Sequence, residues 1–553
     1  MKSEIKKFFK GDIEDTPEVL DTYSHDASLF EVRPELVVFP KDSTDIQNLV
    51  KWVTDNKDTQ NNLSLTARAA GTCMSGGAVN ESIVVDVSRY MNNIISVDTL
   101  RAVVEPGVYY RDLEKETLKH GVLLPSYTAS KDICAVGGMV GNNSGGEKTL
   151  KYGKTEQYIE SLKIVLSDGY EYIIHAMTHR ELTSAMNEAT LLGQLYKKLY
   201  ALIQDNEKAI EYAKPNVSKN SAGYYLWNVW NKQTEVFDLC RLIVGSQGTL
   251  GIVTQITFRL VPVAPYENVL AIFMPDITRL GDMVKTIMPF GPDSLESYDD
   301  YSMKLAVRFF FDFFKQLGFW GAIKLGFRFI PEVWMMLTGG VPKLILLVEI
   351  SGVSEQEVAE KLRKVQGAVK VFGYKTRIAR NSAEAEKYWK IRRESFNMLR
   401  KHVQGKRTAP FIDDVIVSPS VLPEFLPKIE ALIAEYNLVY TIAGHAGNGN
   451  FHIIPLMDLD SPFSGDVILD LSQKVYDLVL SYHGSITAEH NDGIIRTPYL
   501  EQMYGEHICG LFKEVKDMFD PKNIFNPGKK VGGTKEYLRA HLIKNDHSKE
   551  HGS

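Results

Sequence analysis

The sequence predicts an α+β protein with two main domains, the second an α+β cap with an antiparallel sheet, followed by a helical C-terminal return. Three observations predict it. Short β-branched runs alternate with segments of helical period over residues 28–265. Glycine clusters stand at the ends of three of those runs. Pro262 and Pro265 then break the pattern, and further strands and longer helices follow over 266–480. A length of 553 residues corresponds to about three domains or two large ones.

Residues 1–27 are charged and read as an N-terminal extension of short helix plus loop. ELVVFP is a short apolar strand. STDIQNLVKWVTDN follows as a helix, with Ser43 or Thr44 as N-cap. LSLTARAA is a strand entering GTCMSGG, and SIVVDVS, NIISVD and RAVVEPG are strands separated by turns. YYRDLEKETLKHG is a helix closed by Gly121. SLKIVLSDG, residues 161–169, is a strand ending in a turn, and residues 248–262 are a strand pair or one long strand. The boundary falls near 265. In the cap, NVLAIFMP, KLILLVEISG and FIDDVIVSP read as strands, and EQEVAEKLRKV and LPEFLPKIEALIAEYN as helices. Residues 481–533 are expected to pack back on the first domain. Residues 534–553 form a polar tail, with HLIKNDHSKEHGS disordered.

Residues 301–337 are dense in aromatics, with Lys304, Arg308, Lys315, Lys324 and Arg328 interleaved. That composition suits an interfacial membrane element; a protein contact or a buried helical pair are the alternatives.

A net charge of -6 argues against a nucleic-acid partner. Cys73, Cys134, Cys240 and Cys509 form no CxxC pair, so neither an iron–sulfur cluster nor a cysteine zinc site is expected. A reducing compartment fits. The opening MKSEIKKFFKGDIED has no apolar core of a secretory signal, and no apolar run reaches membrane-spanning length. The expected location is cytoplasmic, peripheral on the inner membrane face if 301–337 docks there.

Four segments carry the chemistry. Residues 69–79, AAGTCMSGGAV, lie between two strands; small residues bring backbone close to a guest, and successive N–H groups form a nest suited to phosphate. The pattern is neither GxGxxG nor a P-loop. Residues 135–146, AVGGMVGNNSGG, followed by Lys151-Tyr152-Gly153, expose many backbone donors. Residues 245–253, GSQGTLGIV, again place glycine at a strand edge. The fourth segment is GHAGNGNFH, 444–452, flanked by apolar strands; AGNGN is a hairpin signal. A hairpin there brings His445 and His452 together as a metal pair. A third ligand is available in AEHNDG, 488–493. Two histidines and a carboxylate with open positions suit Zn²⁺, Mn²⁺ or Fe²⁺.

In this order the glycine segments resemble the flavin-binding domain of the vanillyl-alcohol oxidase (PCMH-type) superfamily, in its FAD-linked oxidase branch. That branch includes D-lactate dehydrogenases, glycolate oxidase flavin subunits and D-2-hydroxyglutarate dehydrogenases. The resemblance runs from about Pro34 to Gly528. It implies a PCMH-type two-subdomain FAD-binding domain over 28–265. It implies noncovalent FAD, because the first loop has no histidine for covalent attachment. Ala70, Gly71, Thr72, Met74, Ser75, Gly76 and Gly77 then hold the pyrophosphate. Ser130, Gly137, Gly138, Asn142, Asn143, Ser144 and Gly145 line the flavin, Ile252 and Val253 lie near the adenine, and Asn526-Pro527-Gly528 lies by the flavin.

The family motif GHxGxGNxH supplies two histidine ligands, and the glutamate of an EH pair supplies a third. His445, His452 and Glu489 match them, and His490 matches the catalytic base. The resemblance also implies an arginine that clamps the substrate carboxylate, Arg392 first and Arg393 second, through a planar guanidinium. Where relatives often carry a basic or polar residue, 410–414 offers only Asp413 and Asp414, which weighs against a second anionic group on the substrate.

The expected reaction is oxidation of a D-2-hydroxy acid, most simply D-lactate, to the 2-oxo acid. The acid chelates the metal, with zinc the first choice. His490 takes the hydroxyl proton while hydride passes to the flavin. Activity then falls below the ordinary imidazole pKa of about 6.5. Electrons leave to a quinone, an electron-transfer flavoprotein or an iron–sulfur partner; a homodimer is one assembly open to the chain, and the sequence does not fix the oligomeric state. The rival readings are a non-catalytic flavin subunit of a larger complex and a metal-free oxidase of the same superfamily.

Overall fold

In the computed structural model, residues 1–300, 342–381, 384–393 and 406–544 are described. The apolar runs become its strands. β1 (Asp12–Glu14), β2 (Leu36–Phe39), β3 (Leu65–Arg68) and β4 (Ile83–Asp86) form a sheet in the order β1-β2-β4-β3. β2, β4 and β3 run parallel, and β1 pairs antiparallel at the edge. All of β2 and β4 is buried, as parallel strands covered on both faces require. Helix Ser43–Asn56 turns Ile46, Leu49, Val50 and Val53 into this core. Its N-cap is Asp42, not Ser43 or Thr44: the Asp42 carboxylate accepts from the Asp45 N–H, and the two hydroxyl residues fall inside the first turn. The N-terminal extension holds more than a helix and loop, because β1 joins the sheet and Ile5 and Phe9 enter its core.

The next strands are β5 (Ile94–Val97), β6 (Arg101–Val104), β7 (Val122–Leu123), β8 (Ile159–Val165), β9 (Glu171–Thr178), β10 (Trp230–Asn231), β11 (Val236–Asp238), β12 (Ile252–Arg259) and β13 (Val261–Pro262). Seven of them form a sheet in the order β10-β11-β9-β8-β12-β6-β5, while β7 and β13 pair with each other. Residues 248–262 thus hold one long strand, β12, and the short β13. Burial along β12 alternates with period two, so one face lies in the core with Ile256 and Phe258.

The third sheet is antiparallel. It contains β14 (Tyr266–Met274), β15 (Ser294–Asp299), β16 (Leu344–Gly352), β17 (Lys375–Ile378), β18 (Arg407–Thr408), β19 (Val415–Ile416), β20 (Val439–His445) and β21 (Asn450–Met457). The order is β17-β14-β16-β15-β20-β21-β18, with β19 also on β21. Helices Leu280–Ile287, Glu355–Val369, Leu422–Ala434 and Ser464–Ser481 bury apolar residues against it. Of FIDDVIVSP only Val415 and Ile416 are strand, because Asp414 adopts φ 68° and leaves the extended region. The aromatic segment 301–337 lies outside the described residues. Among the described residues, no helix is long and apolar enough to cross a membrane.

After helix Leu500–Phe519 the chain reaches the first sheet again. Leu65 N–H donates to Ile524 O, and Asn526 N–H donates to Leu65 O. The polar tail begins later than the sequence implies. Helix Lys535–Ala540 buries Leu538, and Leu542 bridges Phe30, because these two leucines, four residues apart, give the segment an apolar side.

Candidate active site

The loop after β3, helix Val136–Asn142 with its flanks, residues 243–253 and one face of β20 and β21 enclose a cavity of about 600 Å³. Ala70, Gly71, Thr72, Met74, Gly77, Ser130, Gly137, Gly138, Asn142, Ser144, Gly145 and Val253 line it. Ser75, Gly76, Asn143, Ile252 and Asn526 stand outside that lining. Ile252 packs in the first core. The Asn143 amide donates to Glu156, and Gln247 donates to Ser75. Asn526 donates to Gly77 O and Gln247 O, and Gly76 abuts Phe30.

A Cβ added at Gly138, Gly141 or Gly248 would find no atom outside its immediate neighbourhood closer than 4.0, 3.9 and 3.8 Å respectively. Bare backbone borders the cavity at these places, which fits a large cofactor seated against the chain. At Gly145 the same atom would lie 2.9 Å from Glu489 Oε1, so glycine lets this loop reach the carboxylate.

The hairpin forms as expected. β20 and β21 set His445 opposite Asn450 and His452 opposite Ala443, so the two imidazoles are diagonal neighbours on one face, with ring centroids 5.3 Å apart. Glu489 joins them, and one ligand atom from each of the three lies within 4.8 Å of the others. This donor set fits a divalent cation. Asp413, His452 and His490 form a second group of the same compactness that shares His452.

Buried residues to which the sequence assigned no such role hold these groups from behind. Glu296 Oε1 lies 2.6 Å from His445 Nδ1. Lys219 Nζ lies 2.5 Å from Glu489 Oε1. Asp413 sits 3.1 Å from His452 Nδ1 and 2.6 Å from His490 Nδ1. Asp414 Oδ2 accepts from the N–H groups of Ala488, Glu489 and His490 and from the Thr487 hydroxyl, and so shapes the loop that carries the ligand and the base. The available signals were slight: an acid inside the buried strand β15, and paired acids in the apolar run FIDDVIV.

Burial raises the Glu489 carboxyl, but Lys219 and His445 outweigh it and hold Glu489 well below the usual range. Burial lowers His445, but Glu296 outweighs it and the net direction is upward. For His490, burial is likewise overcome by Asp413 and Asp414, which push it up to about 9. This differs from the expectation of an ordinary imidazole, since Asp413, far from it in sequence, lies against the ring and Asp414 adds its charge. His490 also stacks on His452, with centroids 5.0 Å apart.

Helical residues 384–393 bring Arg392 and Arg393 to the cavity wall. Arg392 Nη2 lies 2.9 Å from Glu296 Oε2, beside the histidines. Arg393 makes a two-bond pair with Glu147, both at 2.8 Å, on the glycine-loop side.

Comparison with known proteins follows this geometry. Residues 34–174 match a family described as an FAD binding domain, and residues 264–530 match one described as FAD linked oxidases, C-terminal domain. A protein named D-2-hydroxyglutarate dehydrogenase from Escherichia coli (strain K12) is 25% identical over 520 residues, 92% of this chain and 49% of that protein. The chain thus spans about half the length of that relative. A D-lactate dehydrogenase from Archaeoglobus fulgidus is 27% identical over 500 residues, 90% of this chain and 91% of that protein. In the solved structures, p-cresol methylhydroxylase with substrate bound superposes with TM-score 0.64 at 15% identity, over 94% of both chains. That likeness shows the fold, which is of the PCMH type.

Proposed function

Because the chain belongs to the FAD-linked oxidase family, we propose that it is an FAD-dependent dehydrogenase that, with a divalent cation, oxidises a D-2-hydroxy acid to the 2-oxo acid. The observation that carries this reading is the convergence of His445, His452, Glu489, His490 and Arg392 on one cavity bordered by bare glycine backbone. D-lactate is the first choice of substrate. A relative matched over nearly its whole length bears that name. Asp413 and Asp414 add no cation for a second substrate carboxylate.

FAD, when bound, supplies the two-electron acceptor, and a cation held by His445, His452 and Glu489 (zinc first, manganese or iron otherwise) supplies Lewis acidity toward the hydroxyl. The chain's own residues do the rest. Arg392 binds the substrate carboxylate, and Glu296 holds its guanidinium in place. His490 has Nδ1 against Asp413, which leaves Nε2 to accept the hydroxyl proton. Asp413 stabilises the imidazolium that results. Electrons then leave to a quinone or another non-oxygen acceptor; the basic and aromatic composition of 301–337 supports a quinone at a membrane surface.

The test is anaerobic bleaching of the flavin band by D-lactate, glycolate, D-2-hydroxyglutarate and D-malate, each with and without a chelator. Fast bleaching by D-lactate that the chelator abolishes is the expected result. Bleaching that survives complete metal removal would sink the metal-assisted reading.

A further inference from the structure

We propose that Glu296 is a positioning residue shared by the two halves of the substrate site: one carboxylate oxygen orients His445 and the other holds Arg392. Glu296 is the third residue of β15, which pairs with β20, the strand that ends in His445. Its side chain is 1% exposed. Oε1 lies 2.6 Å from His445 Nδ1; Oε2 lies 2.9 Å from Arg392 Nη2 and 3.2 Å from Arg392 Nε.

The two contacts do different things. An ionised carboxylate only accepts hydrogen bonds, so the His445 proton is fixed on Nδ1. Nε2 is thereby left toward Glu489 Oε2, 3.3 Å away, where a cation would be bound. A carboxylate behind a metal-ligating histidine fixes both its tautomer and its ring orientation. At the other oxygen, the Nε–Nη2 edge of the guanidinium is gripped in charge-assisted fashion. The neighbouring acids of the site make other pairings: Asp413 with His452 and His490, Glu489 with Lys219, Glu147 with Arg393. Among the described residues, Glu296 is the carboxylate that contacts both the proposed cation-binding histidine and the proposed anion-binding arginine.

A buried ion pair that served only the fold would change stability and leave ligand affinities alone. A shared positioning residue makes one substitution weaken two ligands that bind different groups. The inference rests on the proposed cation and substrate site, and its test separates the two. Glu296→Gln and Glu296→Ala are prepared as full-length, FAD-loaded protein. Zinc affinity is read by competition with a chromophoric chelator. Binding of oxalate, a non-reacting dianion, is read from the flavin spectrum at saturating zinc. Melting temperature and FAD content are taken on the same samples.

The expected result is a zinc affinity roughly 10–100-fold weaker in Glu296→Ala. The loss is smaller in Glu296→Gln, whose amide oxygen can still accept from His445. Oxalate binding weakens in both, since neither retains a charge to hold Arg392. Folded, FAD-loaded variants with wild-type affinity for zinc, for oxalate or for both would overturn the proposal while leaving the site reading intact. Wild-type protein that binds none of zinc, manganese and iron would overturn both.

Discussion

Asp413 meets two imidazoles at once, with one oxygen 3.1 Å from His452 Nδ1 and the other 2.6 Å from His490 Nδ1. Its charge is the first of the influences that raise His490 to about 9 despite burial. The proposed reaction needs the neutral ring, so flavin reduction is expected to fall as pH drops below the His490 pKa. Removing the Asp413 charge lowers that pKa and moves the inflection to lower pH. Asp413→Asn should therefore shift the pH profile of anaerobic flavin reduction downward; an unmoved inflection would mean another group controls it. Replacing the base itself is harsher. His490→Ala should keep FAD bound and slow substrate reduction of the flavin by about 10²–10⁴-fold in stopped-flow traces. Rapid reduction in that variant would remove His490 from the role.

The hairpin of β20 and β21 is the element on which the proposed cation site depends. Its turn closes with Asn448 N–H on His445 O and Gly449 N–H on Ala446 O. Gly449 has φ 76°, and a Cβ there would sit 1.9 Å from Val417 O. Gly449→Ala should cost on the order of 1–3 kcal/mol from backbone strain alone, with the clash added. Calorimetry should show a lower melting temperature, and metal analysis a lower bound-metal content.

This element was legible in the sequence: AGNGN between apolar runs announces a turn, and the seven-residue interval puts His445 and His452 on one face. FIDDVIVSP was not, because its apolar composition reads as a strand while Asp414 departs to φ 68° to cap the loop at 487–490. Glu296 and Lys219 were not legible either. They lie 149 and 270 positions from the partners they serve, and a lone charge in a strand or loop carries no spacing to interpret.

At the scale of the molecule, the glycine segments pointed to the cofactor domain only when read in order, and nothing local indicated how the C-terminal return would close it. Asn526 is the clearest link. It accepts from the Thr66 hydroxyl at 2.8 Å and donates to Gly77 O at 2.9 Å and Gln247 O at 2.7 Å, joining two loops of the proposed cofactor site to the first sheet. Asn526→Ala leaves buried groups unpaired and should cost about 1–3 kcal/mol. Size-exclusion runs should show more FAD lost from the variant than from wild type; equal retention would make Asn526 a purely structural strut.

Thr66 and Asn526 are 460 positions apart. At elongation rates of about 5–20 residues per second, a ribosome that has finished Thr66 needs roughly 20–90 s more to deliver Asn526. Throughout that interval the nascent amino-terminal sheet lacks its last partner, and Glu489 and His490 are also late to emerge. A stalled or truncated translation product would therefore carry the Gly77 and Gln247 loops without the polar tie that fastens them.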